Sequence, residues 1–192
     1  MILRGFLMGT GIIVCGLNGA GKSTLGKALA KRLDFHFIDI EDLYFPKDDP
    51  AYLYASPRTR EEVSERLLRE VKTHEHFVFA SVKGDYGESI YPFYRVAVWI
   101  EVPKSIRMQR VKDRSYQKFG ERMFPGGDLY EQEEQFFDFV NSREDAEVEK
   151  WVKSLGCPLI KIDGTRPAQD NIRLITEQMN LDSGGRYYGN SI

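Results

Sequence analysis

The chain has 192 residues, of which 42% are hydrophobic and 29% charged, an ordinary balance for a globular protein with one α/β domain and a sizeable core. Its formal net charge of −2 argues against nucleic acid or an anionic membrane as a partner. The two cysteines, Cys15 and Cys157, lie far apart and are expected as free thiols in a cytoplasmic setting.

The segment Met1 to Met8 is apolar but shorter than a signal peptide or a membrane span, and reads as an extension before the first strand. Ile12-Ile13-Val14-Cys15 is a short apolar run of the kind that forms a buried strand. Gly16-Leu17-Asn18-Gly19-Ala20-Gly21-Lys22-Ser23-Thr24 then satisfies G-x-x-x-x-G-K-[ST]. The following residues to Leu33 put apolar side chains at helical spacing, with Lys31 and Arg32 at the end where the helix dipole favours cations. Strand, glycine loop and helix together are the context that gives this motif its meaning. Glycines let successive N–H groups of Asn18 to Thr24 turn inward onto phosphate oxygens, and the helix N-terminus adds further donors. Lys22 can reach the β- and γ-phosphates, and the Ser23 hydroxyl can coordinate Mg²⁺.

A second strand is expected over His36–Ile38, followed by Asp39-Ile40-Glu41-Asp42. An Asp there can hold a metal-bound water or take the proton of an attacking hydroxyl, or it can simply cap a helix. Tyr52, Tyr54 and Pro57 precede Arg58 and Arg60, which can grip an acidic substrate group or begin the helix expected over Arg58–Lys72. His74 and His76 have no Cys or third His beside them, so no metal site is expected there.

A third strand, Phe77–Ala80, leads into Ser81-Val82-Lys83-Gly84-Asp85-Tyr86-Gly87, a loop offering one cation and one anion. Ser81 stands where many phosphate-loop proteins carry a metal-linked Asp, and its hydroxyl can join the metal's water shell. A fourth strand, Val96–Val102, precedes a helix over Lys104–Lys118. Arg110 and Arg114 share one face of it, and two adjacent guanidinium groups call for an anion between them. Arg107 and Lys112 read as a solvated basic face. Ser115 to Gly127 is basic and ends in glycines, as a closing lid would. Asp128-Leu129-Tyr130-Glu131 reads as a helix cap for a long helical pattern to Leu155 with a break inside it. The aromatic residues between Gln135 and Trp151 read as core. A fifth strand, Leu159–Ile162, and a helix over Pro167–Met179 complete the order. Alternating strands and helices predict a parallel sheet covered on both faces, with ligands at the strands' C-terminal ends.

The phosphate loop, the Asp39-x-Glu41 pair, the Arg110-x-x-x-Arg114 helix and Ile162-Asp163-Gly164-Thr165-x-Pro167 resemble the nucleoside-monophosphate kinase and shikimate kinase group of phosphate-loop kinases, over roughly Gly11 to Met179. The resemblance implies a three-layer α/β/α fold with a five-stranded parallel sheet. It also implies a substrate segment near 39–75 and a lid near 115–127, while chain length points to one domain over residues 11–180 and the ends at 1–10 and 181–192, which carry no helical or strand periodicity, are expected to be flexible. It implies ATP and Mg²⁺ as cofactors. By position, Lys22 holds phosphate and Ser23 holds the metal, while Asp39 resembles the carboxylate near metal and acceptor hydroxyl, and Glu41 its substrate-touching partner. Arg110 resembles the arginine packed on adenine and Arg114 the lid arginine on the phosphoryl group, with Gly164, Thr165 and Pro167 lining the adenine pocket.

The loop after the third strand departs from both relatives. Monophosphate kinases usually carry Asp-Gly-x-Pro-Arg there and shikimate kinases a glycine triplet, whereas this chain has Ser81-Val82-Lys83-Gly84-Asp85. Glu41, Asp42, Arg58, Arg60, Lys83 and Asp85 are accordingly the candidates for a polar small-molecule acceptor. The expectation is transfer of the γ-phosphoryl group to a hydroxyl or phosphate of that acceptor. The alternative is a nucleotide-binding switch without an acceptor.

Overall fold

The computed structural model describes residues 9–46 and 56–182, with side chains to residue 179. Tyr52, Tyr54 and most of both expected termini lie outside that range. Among the described residues, five strands form one sheet: β1 (Thr10–Cys15), β2 (His36–Asp39), β3 (His76–Ala80), β4 (Tyr94–Glu101) and β5 (Leu159–Asp163). Their order is β2-β3-β1-β4-β5, and every pairing is parallel. Seven α-helices among the described residues accompany them: α1 (Lys22–Leu33), α2 (Ile40–Tyr44), α3 (Arg60–Thr73), α4 (Lys104–Phe119), α5 (Tyr130–Ser142), α6 (Asp145–Lys153) and α7 (Ala168–Asp182).

The central strand explains the layering. Ile12, Ile13, Val14 and Cys15 are all fully buried, as a parallel strand covered on both faces requires. Side chains alternate across a strand, so Ile13 and Cys15 join the core with Val63, Leu67 and Val148 under α3 and α6. Ile12 and Val14 join the opposite core with Leu25, Leu29, Ile172 and Ile175 under α1 and α7. From β1 the chain builds first toward β2 and β3 and then returns to β4 and β5 on the other side. The loop after Cys15 therefore leaves the sheet where the order reverses, and the crevice there is where this architecture binds ligands.

Local chemistry sets several boundaries. The helix expected from Arg58 begins at Arg60, because Thr59 caps it and Glu62 reaches back to the Thr59 N–H in a reciprocal capping box. The expected cap at Asp128 is not used: the Asp128 carboxylate accepts from Arg122 at 3.0 and 2.6 Å, and α5 starts at Tyr130 with no side-chain cap. The expected break in the long helical pattern falls at Arg143 and Glu144. The stretch expected as a lid is α4 as far as Phe119, then one 3₁₀ turn over Gly120–Met123 and a tight turn to Gly127.

Arg107 corrects the reading of a solvated basic face. It is 1% exposed; its Nε donates to the Val102 carbonyl at 3.1 Å and an Nη to Asp145 at 3.3 Å. Its partner lies 38 residues on, so spacing within the helix carried no sign of it. Phe139 corrects the reading of the α5 aromatics as core. Phe137 is buried, but Phe139 is 56% exposed. Both cysteines are free thiols, and burial pushes Cys15 up to about 12.

Candidate active site

The C-terminal ends of β1, β2 and β3 open into a cavity of about 890 Å³ roofed by α4 and α5. On its floor, Gly21 is the N-cap of α1 at φ +94°, a left-handed conformation that glycine adopts without a steric cost. It offers no capping side chain, so the first N–H groups of α1 keep their capacity for an anion. Gly19, at φ +79°, lies so close to α4 that a Cβ there would fall 2.3 Å from the Arg107 carbonyl oxygen.

Lys22 leans back across the loop and donates to the Leu17 carbonyl at 3.1 Å. Enclosure of its ammonium lowers its pKa to about 8, with Glu41 and Asp39 pulling upward and Arg114 and Arg143 pushing down. A cation held this way, with no carboxylate in contact among the described residues, suits an incoming polyanion. Free helix donors, Lys22 and the exposed Ser23 hydroxyl together form a donor set that fits a nucleotide phosphate with its metal.

Asp39 is the N-cap of α2, and its Oδ1 accepts the Glu41 N–H at 3.0 Å. It lines the cavity all the same, so the capping and chemical readings coexist in one carboxylate. Glu41 reaches across the mouth to Arg114, 3.5 Å away. Arg110 donates from both terminal nitrogens to the Gly164 carbonyl, at 3.1 Å each, and from one to the Gly19 carbonyl at 3.4 Å. It thereby ties the phosphate loop to the turn after β5. Ser81 is buried, and its hydroxyl donates to the Lys83 carbonyl at 2.7 Å.

On the far side, Lys83 and Arg60 each stand 3.6 Å from the Asp85 carboxylate, and Arg60 also donates to the Asp85 carbonyl. The Arg60 guanidinium lies 5.3 Å over the Tyr86 ring, whose phenol burial pushes its pKa up. Lys22, Asp39, Glu41, Arg60, Lys83, Asp85, Arg110 and Arg114 thus line one space, with Asn18, Gly19, Gly21, Ser23 and Thr24.

Other candidates fall outside its lining. Arg58 donates to the Leu43 carbonyl at 2.8 Å and so holds α2 against the start of α3. Asp42 is exposed beside it, and Ala20 is buried under the loop. Thr165 closes its own turn by donating to Asp163 through N–H and hydroxyl, at 2.8 and 2.6 Å. Pro167 is exposed just before α7, and Gly164 connects to the cavity through Arg110.

Sequence reasoning missed four contributors. Arg143, at the α5–α6 break, donates to Asn18 Oδ1 at 3.1 Å and stacks 5.2 Å over Phe139. Phe136 and Phe139 supply an apolar wall. Glu133 is 2% exposed, faces the cavity, and has a carboxylate oxygen without a hydrogen-bond partner among the described residues. The break at Arg143 was the one available sign, since an arginine where two helices part is free to turn inward.

This architecture, with its loop and facing arginines, defines a phosphate-loop protein of the nucleoside-monophosphate kinase and shikimate kinase-like group. The chain belongs to the family described as AAA domain (AAA_18), which matches residues 12–138. It is 24% identical over 177 residues to YqaC, an uncharacterized protein of Bacillus subtilis, covering 88% of this chain and 97% of that one. A shikimate kinase of Thermosynechococcus vestitus is 28% identical over 127 residues, 58% of this chain and 65% of that enzyme. Among solved structures, deoxyadenosine kinase from M. mycoides with bound dATP shares the fold at a TM-score of 0.55 and 15% identity, over 88% of this chain and 99% of that one. Among the described residues, no helix is long and apolar enough to cross a membrane.

Proposed function

We propose that the protein is a kinase that moves the γ-phosphoryl group of ATP, with Mg²⁺, to a hydroxyl or phosphate of a small-molecule acceptor. One observation carries this reading: the phosphate-binding side chains and the acceptor-side cluster of Arg60, Lys83 and Asp85 face a single cavity of about 890 Å³. That is room for a nucleotide's phosphates and a small acceptor together. The likeness to a shikimate kinase and to the fold of a deoxyadenosine kinase supports an acceptor of that size. ATP is preferred to GTP through the resemblance to the monophosphate and shikimate kinases, in a sequence without an Asn-Lys-x-Asp guanine motif.

Bound MgATP would supply the phosphoryl group and a divalent charge. Lys22 and the α1 N–H groups would hold the phosphates, with the Ser23 hydroxyl on the metal. Arg114, once freed from Glu41, would spread the charge that develops on the transferring group. Asp39 keeps one carboxylate oxygen clear of the Glu41 N–H and would accept or orient the acceptor's proton. Segment 115–127 is the proposed lid and residues 39–75 the proposed substrate segment of a single domain. Closure over both would exclude water and suppress hydrolysis.

ADP release from MgATP across nucleosides, nucleoside monophosphates, shikimate-like acids, sugar acids and amino alcohols tests the reading, with Lys22→Met as the blank. An acceptor whose turnover vanishes in the variant supports it. Tight nucleotide binding with no acceptor-dependent turnover, on a panel extended to all these classes, refutes it.

A further inference from the structure

The chain has three histidines, and two of them meet at the end of the sheet opposite the phosphate loop. The sequence alone gave His74 no metal-binding neighbour. The fold corrects this by setting β2 against α3, which places His36 beside Glu70 and His74 while leaving His76 out. His36 Nε2 lies 2.9 Å from Glu70 Oε2, and His74 Nδ1 lies 3.4 Å from the same oxygen. The two imidazole rings stack with centroids 3.5 Å apart and planes 7° from parallel. One ligand atom from each of the three residues lies within 4.8 Å of the other two.

We propose that His36, Glu70 and His74 form a binding site for a divalent transition-metal ion, represented by Zn²⁺, that clamps β2 to α3. Around a tetrahedral ion with bonds of about 2.0–2.1 Å, neighbouring donor atoms stand roughly 3.3 Å apart. Two edges of this triangle, at 2.9 and 3.4 Å, come near that length, and ligation would turn the two stacked rings out of parallel so that both nitrogen lone pairs, which lie in the ring planes, meet at one ion. The donor set of two imidazoles and one carboxylate suits zinc, nickel, cobalt or copper, whereas Mg²⁺ prefers oxygen alone. The site is therefore chemically distinct from the metal position at Ser23.

The three side chains are 38%, 38% and 33% exposed, which lets an ion enter and leaves a fourth position for water. His74 Nδ1 also lies 3.0 Å from the Glu70 carbonyl oxygen, a contact that ligation through this nitrogen would give up. His76 is engaged elsewhere: it stacks on Phe35 at 4.9 Å, and its Nδ1 accepts the Thr10 N–H at 3.3 Å. The clamp joins two elements that reach the cavity, since β2 ends at Asp39 and α3 begins at Arg60. An ion that binds only the folded chain stabilises it in proportion to occupancy. None of this depends on the identity of the acceptor.

The test uses the full untagged chain, stripped with a chelator and titrated with Zn²⁺ in the absence of nucleotide, above the ordinary imidazole pKa of about 6.5. One ion per chain is expected by calorimetry, together with a Zn²⁺-dependent rise in Tm. His36→Ala, His74→Ala and the near-isosteric Glu70→Gln should each weaken binding at least about tenfold and abolish the rise. His76→Ala should leave both unchanged. Circular dichroism establishes that each variant is folded, and Glu70→Gln keeps the test decisive should an alanine variant fail to fold. Absence of stoichiometric binding, or binding that survives all three substitutions, would overturn the proposal.

Discussion

Arg143 donates to Asn18 Oδ1 at 3.1 Å across 125 residues of sequence, so the break between α5 and α6 is anchored to the phosphate loop. The contact is side chain to side chain and half-buried, with desolvation lowering the Arg143 pKa. An arginine that touches the loop and lines the cavity is placed to act on a bound phosphate or on the acceptor.

Arg143→Ala is expected to lower kcat/KM for the acceptor by about 10- to 100-fold, the worth of one charge-assisted hydrogen bond of about 1.5–3 kcal/mol. Arg143→Lys should recover part of that loss, because it restores charge without the planar fork. Steady-state kinetics on the acceptor found by the ADP-release screen checks this. A change in stability alone, with kcat/KM intact, would assign Arg143 to packing.

Lys22 makes stability depend on pH. Its pKa is about 8 in the folded chain against 10.5 when exposed, so between those values the unfolded chain holds a proton that the folded chain lacks. Stability from this group therefore rises with pH through that window, and below it the full penalty, of order 3 kcal/mol, is present. Ligand-free Lys22→Met should be more stable than wild type at neutral pH, and the difference should shrink as pH approaches 10.5. Urea unfolding of both proteins at several pH values reads it directly. Near pH 8, MgATP binding should take up about half a proton in wild type and none in the variant.

Arg107 and Asp145 separate burial of a charge from its pairing. Asp145→Ala leaves a guanidinium that is 1% exposed with fewer partners, at an expected cost of about 1–3 kcal/mol, reduced because Asp145 is itself 44% exposed. Arg107→Met keeps the volume and removes the charge, and should change stability by less than about 1 kcal/mol. One Nη of Arg107 already has no partner among the described residues, which favours the apolar replacement. Chemical denaturation of the two single variants is sufficient.

Two loop glycines should respond differently to alanine. At Gly21 nothing lies within 4 Å of the new Cβ, so Gly21→Ala should cost only the left-handed conformation, about 1–2 kcal/mol. At Gly19 the new Cβ meets the Arg107 backbone at 2.3 Å, so the loop must move. Gly19→Ala should lose nucleotide affinity at least tenfold more than Gly21→Ala, measured by calorimetry with MgATP.

The fold was legible because parallel strands buried on both faces leave short apolar runs, and the helices between them keep their spacing. Each of the five strands begins and ends within two residues of its expected place, and the helix break fell inside the stretch that anticipated it. The loop was legible because its chemistry is local. Arg107, Arg143 and the His36–Glu70–His74 cluster were not, since each depends on a partner brought near only by the packing of separate elements. Arg58 shows the converse: its neighbourhood in sequence suggested a substrate contact, while its guanidinium is taken by a backbone carbonyl of α2.

The ion pair between Glu41 and Arg114 gives the cavity an internal competitor. Its two side chains, at 45% and 49% exposure, are half in water, so the pair is weak enough to open yet occupies the arginine until something better arrives. A stray monoanion gains little by displacing a carboxylate already in place, whereas a polyphosphate carrying several charges does. The mouth is therefore expected to select ligands by their charge. Added salt should erode its discrimination between singly and multiply charged ligands before it erodes the fold.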